Sequence, residues 1–185
     1  MTPPLQPEEQ ARVLIDEQLT QAGWHVCDRQ DIDLVNQYGN AVREVVMDAG
    51  HGRADYLLYV DKRVVGVIEA KPSGTTLSGV EWQSAMYAAG LPEAYRETAV
   101  LKDDRLPFIF EASGTETHYT NGFDPNPRAR KIFNFPQPET LARITRDAEA
   151  NPAARGVHIT AKLDGKAPPK INLTLNNMSL KRMLD

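Results

Sequence analysis

Two short apolar runs, each bordered by an ionisable group, constrain this chain more than any other feature. Both lie in residues 50–74, GHGRADYLLYVDKRVVGVIEAKPSG. Residues 56–60 and 64–68 are rich in β-branched and aromatic side chains and predict two strands. Asp61-Lys62-Arg63 between them predicts a tight turn, without the glycine most short hairpins use. With all three residues in the loop, Val60 faces Val64 and Asp55 falls opposite Glu69 on the same face. Directly opposed residues sit about 5 Å apart at Cβ. A two-residue loop instead slips the register by one and turns Glu69 to the other face. Lys71, two residues beyond Glu69, shares its face.

Adjacent carboxylates resist joint ionisation unless a cation lies between them. A hard divalent ion such as Mg²⁺ takes one or two carboxylates plus waters, binds a phosphate oxygen and lowers the pKa of a bound water. A nearby lysine can hold or polarise that water, or neutralise phosphate charge. An ion pair on a hairpin surface is the plainer explanation of Asp55, Glu69 and Lys71. The position of Glu69 and Lys71, at the end of Val64-Val65-Gly66-Val67-Ile68, favours a site at the rim of a buried sheet.

Asp55 followed by Glu69-Ala70-Lys71 resembles the PD-(D/E)xK nuclease signature, with Ala54 where the bare signature has proline. Two longer runs, residues 50–92 and 107–135, are similar to the amino-terminal nuclease domain of the R (restriction) subunit of type I restriction–modification enzymes. The similarity spans about residues 15–141. It implies a magnesium site held by Asp55, Glu69 and the Ala70 carbonyl, with Lys71 serving the attacking water. Gln83 and Tyr87, four apart on one helical face, match a QxxxY motif that supports the site or contacts DNA. A packed tyrosine with a solvated glutamine is the alternative for that pair. Glu17 matches a first-helix glutamate that approaches the metal in this superfamily; a solvated helix glutamate is its alternative.

The bulk properties fit this picture with one tension. A chain of 185 residues, 41% hydrophobic and 25% charged, fits one globular domain with a real core. The net charge of −4 opposes DNA binding, whose footprint is normally basic. A local basic patch can coexist with a negative total, and Arg128, Arg130 and Lys131 form the densest such cluster. They fit phosphate contact or a solvated face equally. The single cysteine, Cys27, excludes an internal disulfide and reads as a small buried hydrophobe. Without a signal peptide or an apolar run long enough to span a bilayer, the expected location is the cytoplasm, with no membrane partner.

Along the chain, Pro7, Glu8 and Glu9 open a helix whose stripe is Ala11, Leu14, Ile15, Leu19 and Ala22, and Gly23 ends it. Residues 41–47 predict the first strand of a meander, and His51 between two glycines reads as a turn residue rather than a catalytic one. Ser78 and Glu81 make a capping box for a helix to about Ala89. Residues 107–112 and 115–120 predict a hairpin finishing the sheet, and residues 138–150 a short helix. Residues 151–185 are broken by Pro152, Gly156, Gly165, Pro168 and Pro169 and read as a linker or tail. The resemblance implies that such a segment leads into helicase-like motor domains. No GxxxxGK[ST] phosphate loop occurs, so ATP belongs only to those absent domains.

The expected architecture is α/β: a restriction-endonuclease-like core over residues 1–150, with a mixed, mostly antiparallel central sheet of about four or five strands flanked by helices. The implied function is Mg²⁺-dependent endonucleolytic cleavage of double-stranded DNA without sequence readout of its own. In the full enzyme, cleavage follows ATP-driven translocation in a complex with the methyltransferase (modification and specificity) subunits. The excised piece alone is expected to be weak or inactive. Two alternatives stand beside this: a non-catalytic docking module for the motor and methyltransferase subunits, and a PD-(D/E)xK repair nuclease.

Overall fold

The computed structural model describes residues 6–48, 50–75, 77, 87, 90–151, 160–162 and 170–172. Helix α1 (Pro7–Gln21) begins where proline suits the first turn, and the Gln6 N–H donates to the Glu9 carboxylate at 2.9 Å. Its buried stripe is Ala11, Ile15 and Leu19, and Gly23 leaves it at φ +87°. Leu14, expected in that stripe, is partly exposed beside Gly114.

Seven strands form one sheet in sequence order: β1 (His25–Cys27), β2 (Gly39–Val46), β3 (Arg53–Val60), β4 (Arg63–Ala70), β5 (Phe108–Ala112), β6 (Thr117–Asn121) and β7 (Arg130–Ile132). The β1–β2 and β4–β5 pairs are parallel and the other four antiparallel, so the sheet is mixed and mostly antiparallel, as expected. It is wider than the expected four or five strands. The addition includes β1 and β7, three-residue edge strands too short to show a sequence period. A short helix α2 (Glu93–Arg96) lies in the crossover from β4 to β5, and helix α3 (Pro138–Ala150) has the expected bounds. Beyond it, β8 (Thr160–Lys162) and β9 (Lys170–Asn172) pair antiparallel as a separate ladder. The rest of the segment expected to be a tail, and the capping box at Ser78, lie outside the described residues.

The β3–β4 hairpin differs from the expected three-residue loop. Val60 pairs with Arg63, so only Asp61 and Lys62 form the turn, at φ +50° and +64°. Two positive φ values make a primed turn, whose twist suits a hairpin even without glycine. That loop alone would put Glu69 on the wrong face. A β-bulge at Val65 corrects it: Tyr59 pairs with Val64, but Leu58 pairs with Gly66 and Tyr56 with Ile68. One step further, the same register sets Asp55 opposite Glu69. The expected pairing is present, reached by a shorter turn and an extra residue in β4.

Apolar layers cover both faces of the sheet. On one, Ile15 and Leu19 of α1 and Leu141 and Ala142 of α3 pack on Tyr56, Leu58, Ile68, Phe108 and Phe110. Phe110 stacks on Tyr119 at 4.8 Å and meets Phe135 at 5.6 Å. On the other, Tyr87, Leu91 and Leu106 pack on Leu57, Tyr59, Val64 and Val67. Cys27 is buried in this second layer, as read from the sequence.

Gly66 is required where β4 and β5 run parallel. A Cβ there would stand 2.3 Å from the Phe108 carbonyl oxygen, which is backbone and cannot move aside. Gly66→Ala should destabilise the fold by about 1–3 kcal/mol, the usual cost of overpacking. Urea denaturation checks this, and an unchanged midpoint would refute the close β4–β5 approach.

Candidate active site

Asp55 lies near the start of β3 and Glu69 near the end of β4, and both are nearly buried, at 9% and 6% exposure. Asp55 Oδ2 accepts the Ala70 N–H at 2.8 Å, which ties the aspartate to the neighbouring strand. Asp55 Oδ1 accepts from Arg12 Nη2 of α1 at 2.6 Å. Glu69 Oε1 accepts the Tyr87 hydroxyl proton, and Lys71 Nζ lies 3.5 Å from Glu69 Oε2. Lys71 is set at the end of β4 by its own N–H, which donates to the Ala112 carbonyl at 2.8 Å. These groups border an open cleft of about 430 Å³, lined also by Glu8, Arg53 and Pro72.

A third carboxylate adjoins the first two. Glu111 of β5 is the parallel partner of Glu69, so both side chains stand on one face, and Glu111 pairs in turn with His118 of β6. Glu111 is 4% exposed, and its Oε2 has no hydrogen-bond partner among the described residues. Burial pushes the carboxyls of both Glu69 and Glu111 upward, and the charge of Asp55 adds to the effect on Glu69. The Tyr87 hydrogen bond and the Lys71 charge act against this on Glu69; Lys71 and His118 do so on Glu111. Burial, with the Glu69 contact, also holds the Tyr87 phenol protonated.

The structure thus brings together Asp55, Glu69, Ala70, Lys71 and Tyr87. It does not bring Glu17 to them: Glu17 is exposed on α1, whereas Glu8 and Arg12 of that helix line the cleft. Gln83 lies outside the described residues. His51 occupies a turn between Gly50 and Gly52, both at positive φ, as read from the sequence. Lys131 and Arg130 are paired with Glu116 and Asp124 at 3.1 and 2.9 Å. Sequence reasoning missed Glu111, although it ends the run Phe108-Ile109-Phe110 just as Glu69 ends its own. It also missed Arg12, for which no local signal exists.

A mixed sheet with helices on its faces, presenting paired carboxylates and a lysine at the open end of a central hairpin, is a restriction-endonuclease-like α/β domain. Comparison with known proteins assigns the class further. Residues 35–123 match the family model described as the type I restriction enzyme EcoKI endonuclease subunit second domain. A solved fragment of a subunit designated HsdR, of a type I restriction enzyme from Vibrio vulnificus YJ016, aligns with a TM-score of 0.53 at 20% identity. That alignment covers 80% of this chain and 27% of the other, so the chain spans about a quarter of that relative's length. No curated protein sequence matches significantly. The family match over residues 35–123 and the shared fold agree with the resemblance to R-subunit domains of type I restriction enzymes that residues 50–92 and 107–135 carry. Among the described residues no helix is long and apolar enough to cross a membrane.

The raised Glu69 carboxyl has a consequence for stability. The folded protein keeps a proton there that the unfolded chain releases, so its contribution to stability falls as pH rises from the ordinary glutamate value of about 4.3 and then levels off. Glu69→Gln should therefore gain in melting temperature relative to wild type as pH goes from 4 to 8, in the absence of divalent ions. A difference that stays flat or shrinks would contradict the assigned direction.

Proposed function

We propose that this domain is a PD-(D/E)xK nuclease that cuts double-stranded DNA with Mg²⁺, within a type I restriction enzyme. The observation that carries this reading is the bulge-corrected register: it sets Asp55 opposite Glu69 and leaves Lys71 beside the pair. A hairpin used only for structure has no need of two nearly buried carboxylates facing each other.

The residues fit a hard divalent ion. Asp55 already draws a full positive charge, the Arg12 guanidinium, and burial disfavours the ionised form of Glu69 unless a cation offsets it. Among the described residues no three His, Cys, Asp or Glu side chains converge as a metal cluster. Two carboxylates completed by a carbonyl and waters is the donor set magnesium commonly accepts. Asp55, Glu69 and the Ala70 carbonyl would hold the ion, which when bound supplies charge against the phosphate and a more acidic water. Lys71, whose Nζ among the described residues has only a long contact to Glu69, remains available to orient the attacking water or meet phosphate charge. Tyr87 fixes Glu69 Oε1 by donating a hydrogen bond to it, so this tyrosine acts as a positioning residue. The supporting role of Gln83 stays part of the proposal.

The net charge of −4 opposes DNA approach. The proposal therefore assigns delivery of DNA to the motor of the full enzyme, and sequence choice to its methyltransferase and specificity subunits. Alone, the chain should cut plasmid DNA slowly and only at high protein concentration, with Mg²⁺ or Mn²⁺ and not with EDTA. Lys71→Met should lower the rate by about 10²–10³-fold, the usual loss when one charge-stabilising donor is removed. Asp55→Asn should abolish cutting. Cleavage by Asp55→Asn at the wild-type rate would sink the nuclease reading, and intact restriction by a full enzyme carrying it would leave docking as the role of the domain.

A further inference from the structure

Arg12 occupies an unusual position for a helix arginine. Three carboxylates from three elements converge on its guanidinium: Nη2 donates to Asp55 at 2.6 Å and to Glu8 at 3.0 Å, and Nη1 to Glu44 at 2.7 Å. Glu44 makes its contact from β2 with φ at +52°, a left-handed conformation that a glutamate rarely adopts and that marks a constrained position. The guanidinium is only 24% exposed, and its Nε is buried without a partner among the described residues.

Asp55 has two oxygens, and their uses differ. Oδ2 is committed to the Ala70 backbone N–H. Oδ1 is the oxygen left to face the cleft, and Arg12 holds it. A divalent ion on Asp55 and the guanidinium at its present distance would repel each other at contact range. Glu8 and Glu44 are both about half exposed and lie on the outer side of Arg12. Losing Asp55 would leave Arg12 with two charged partners, so the guanidinium can withdraw without being stranded as an unpaired buried charge.

We propose that Arg12 is the resident counter-ion of Asp55, and that a divalent cation enters the site by exchange with its guanidinium. This rests on the metal-site reading given above. Arg12 thereby sets the metal affinity of the site and keeps the carboxylate row neutralised when no metal is bound.

Calorimetric titration of Mn²⁺ into the whole chain, wild type against Arg12→Gln, tests this. Removing the competing charge should tighten Mn²⁺ binding at least tenfold. Mn²⁺ should also raise the melting temperature of Arg12→Gln more than that of wild type, because the metal restores the charge the variant lacks. A merely structural arginine predicts the opposite: a destabilised variant that metal does not recover. Equal or weaker binding by Arg12→Gln, with wild-type binding intact, overturns the exchange and leaves the metal site standing. Absence of binding to both overturns the exchange and the metal site together. A second readout does not require Arg12→Gln to fold. In ¹⁵N-labelled wild type, the one arginine Nε–H signal lost in Arg12→Lys should shift saturably with Mg²⁺. Mg²⁺ binding that leaves that signal in place overturns the exchange.

Discussion

Carboxylates side by side on neighbouring strands repel, and this repulsion is the constraint around which the open end of the sheet is built. Asp55, Glu69 and Glu111 follow one another across β3, β4 and β5, and Glu44 of β2 joins them on the far side of Asp55 through Arg12. Such a row persists in a folded protein only if cations or protons offset it. Each device is present: a guanidinium on Asp55, an ammonium near Glu69, and carboxyls at Glu69 and Glu111 pushed toward protonation by burial. In the proposed metal site, the same imbalance would supply the affinity for a divalent ion.

The rigidity of the site comes from where it sits. Strands buried on both faces hold their carboxylates to the register of the backbone, and the parallel β4–β5 pair brings Glu111 level with Glu69. Helix α1 is anchored independently: Tyr56 donates to Asp16 at 2.8 Å, and Arg43 bonds the same aspartate. These contacts fix the turn of α1 that carries Arg12 without involving the site carboxylates. An element locked one turn away can then present a side chain with two alternative partners.

Much of the core was legible because it rests on local chemistry. Runs of β-branched and aromatic residues announced β3, β4 and β5, Pro138 and the apolar spacing after it announced α3, and flanking glycines placed His51 in a turn. The loop of the central hairpin was misjudged because Asp61 and Lys62 both take a left-handed conformation that their side chains do not advertise. Two departures cancelled: the turn is one residue shorter than expected and the Val65 bulge adds one residue back, so Asp55 still meets Glu69. Glu111 carried the same signal as Glu69, a carboxylate closing an apolar run, and needed only the same argument.

Residue spacing by itself determined that Glu69 and Lys71 would share one face, because alternation along a strand is a property of the covalent chain; the two-residue turn and the Val65 bulge decided that Asp55 faces Glu69. Only the tertiary structure decided which helix residue meets them. Arg12 borders the buried stripe Ala11, Ile15 and Leu19 while Glu17 is exposed away from it, and no local rule says which end of a helix reaches a given strand. That choice follows from packing α1 against the sheet, where Ile15 and Leu19 fix the depth and Asp16 fixes the turn. The result gives Asp55 an arginine where a glutamate was expected, and it reverses the sign of the charge next to the site.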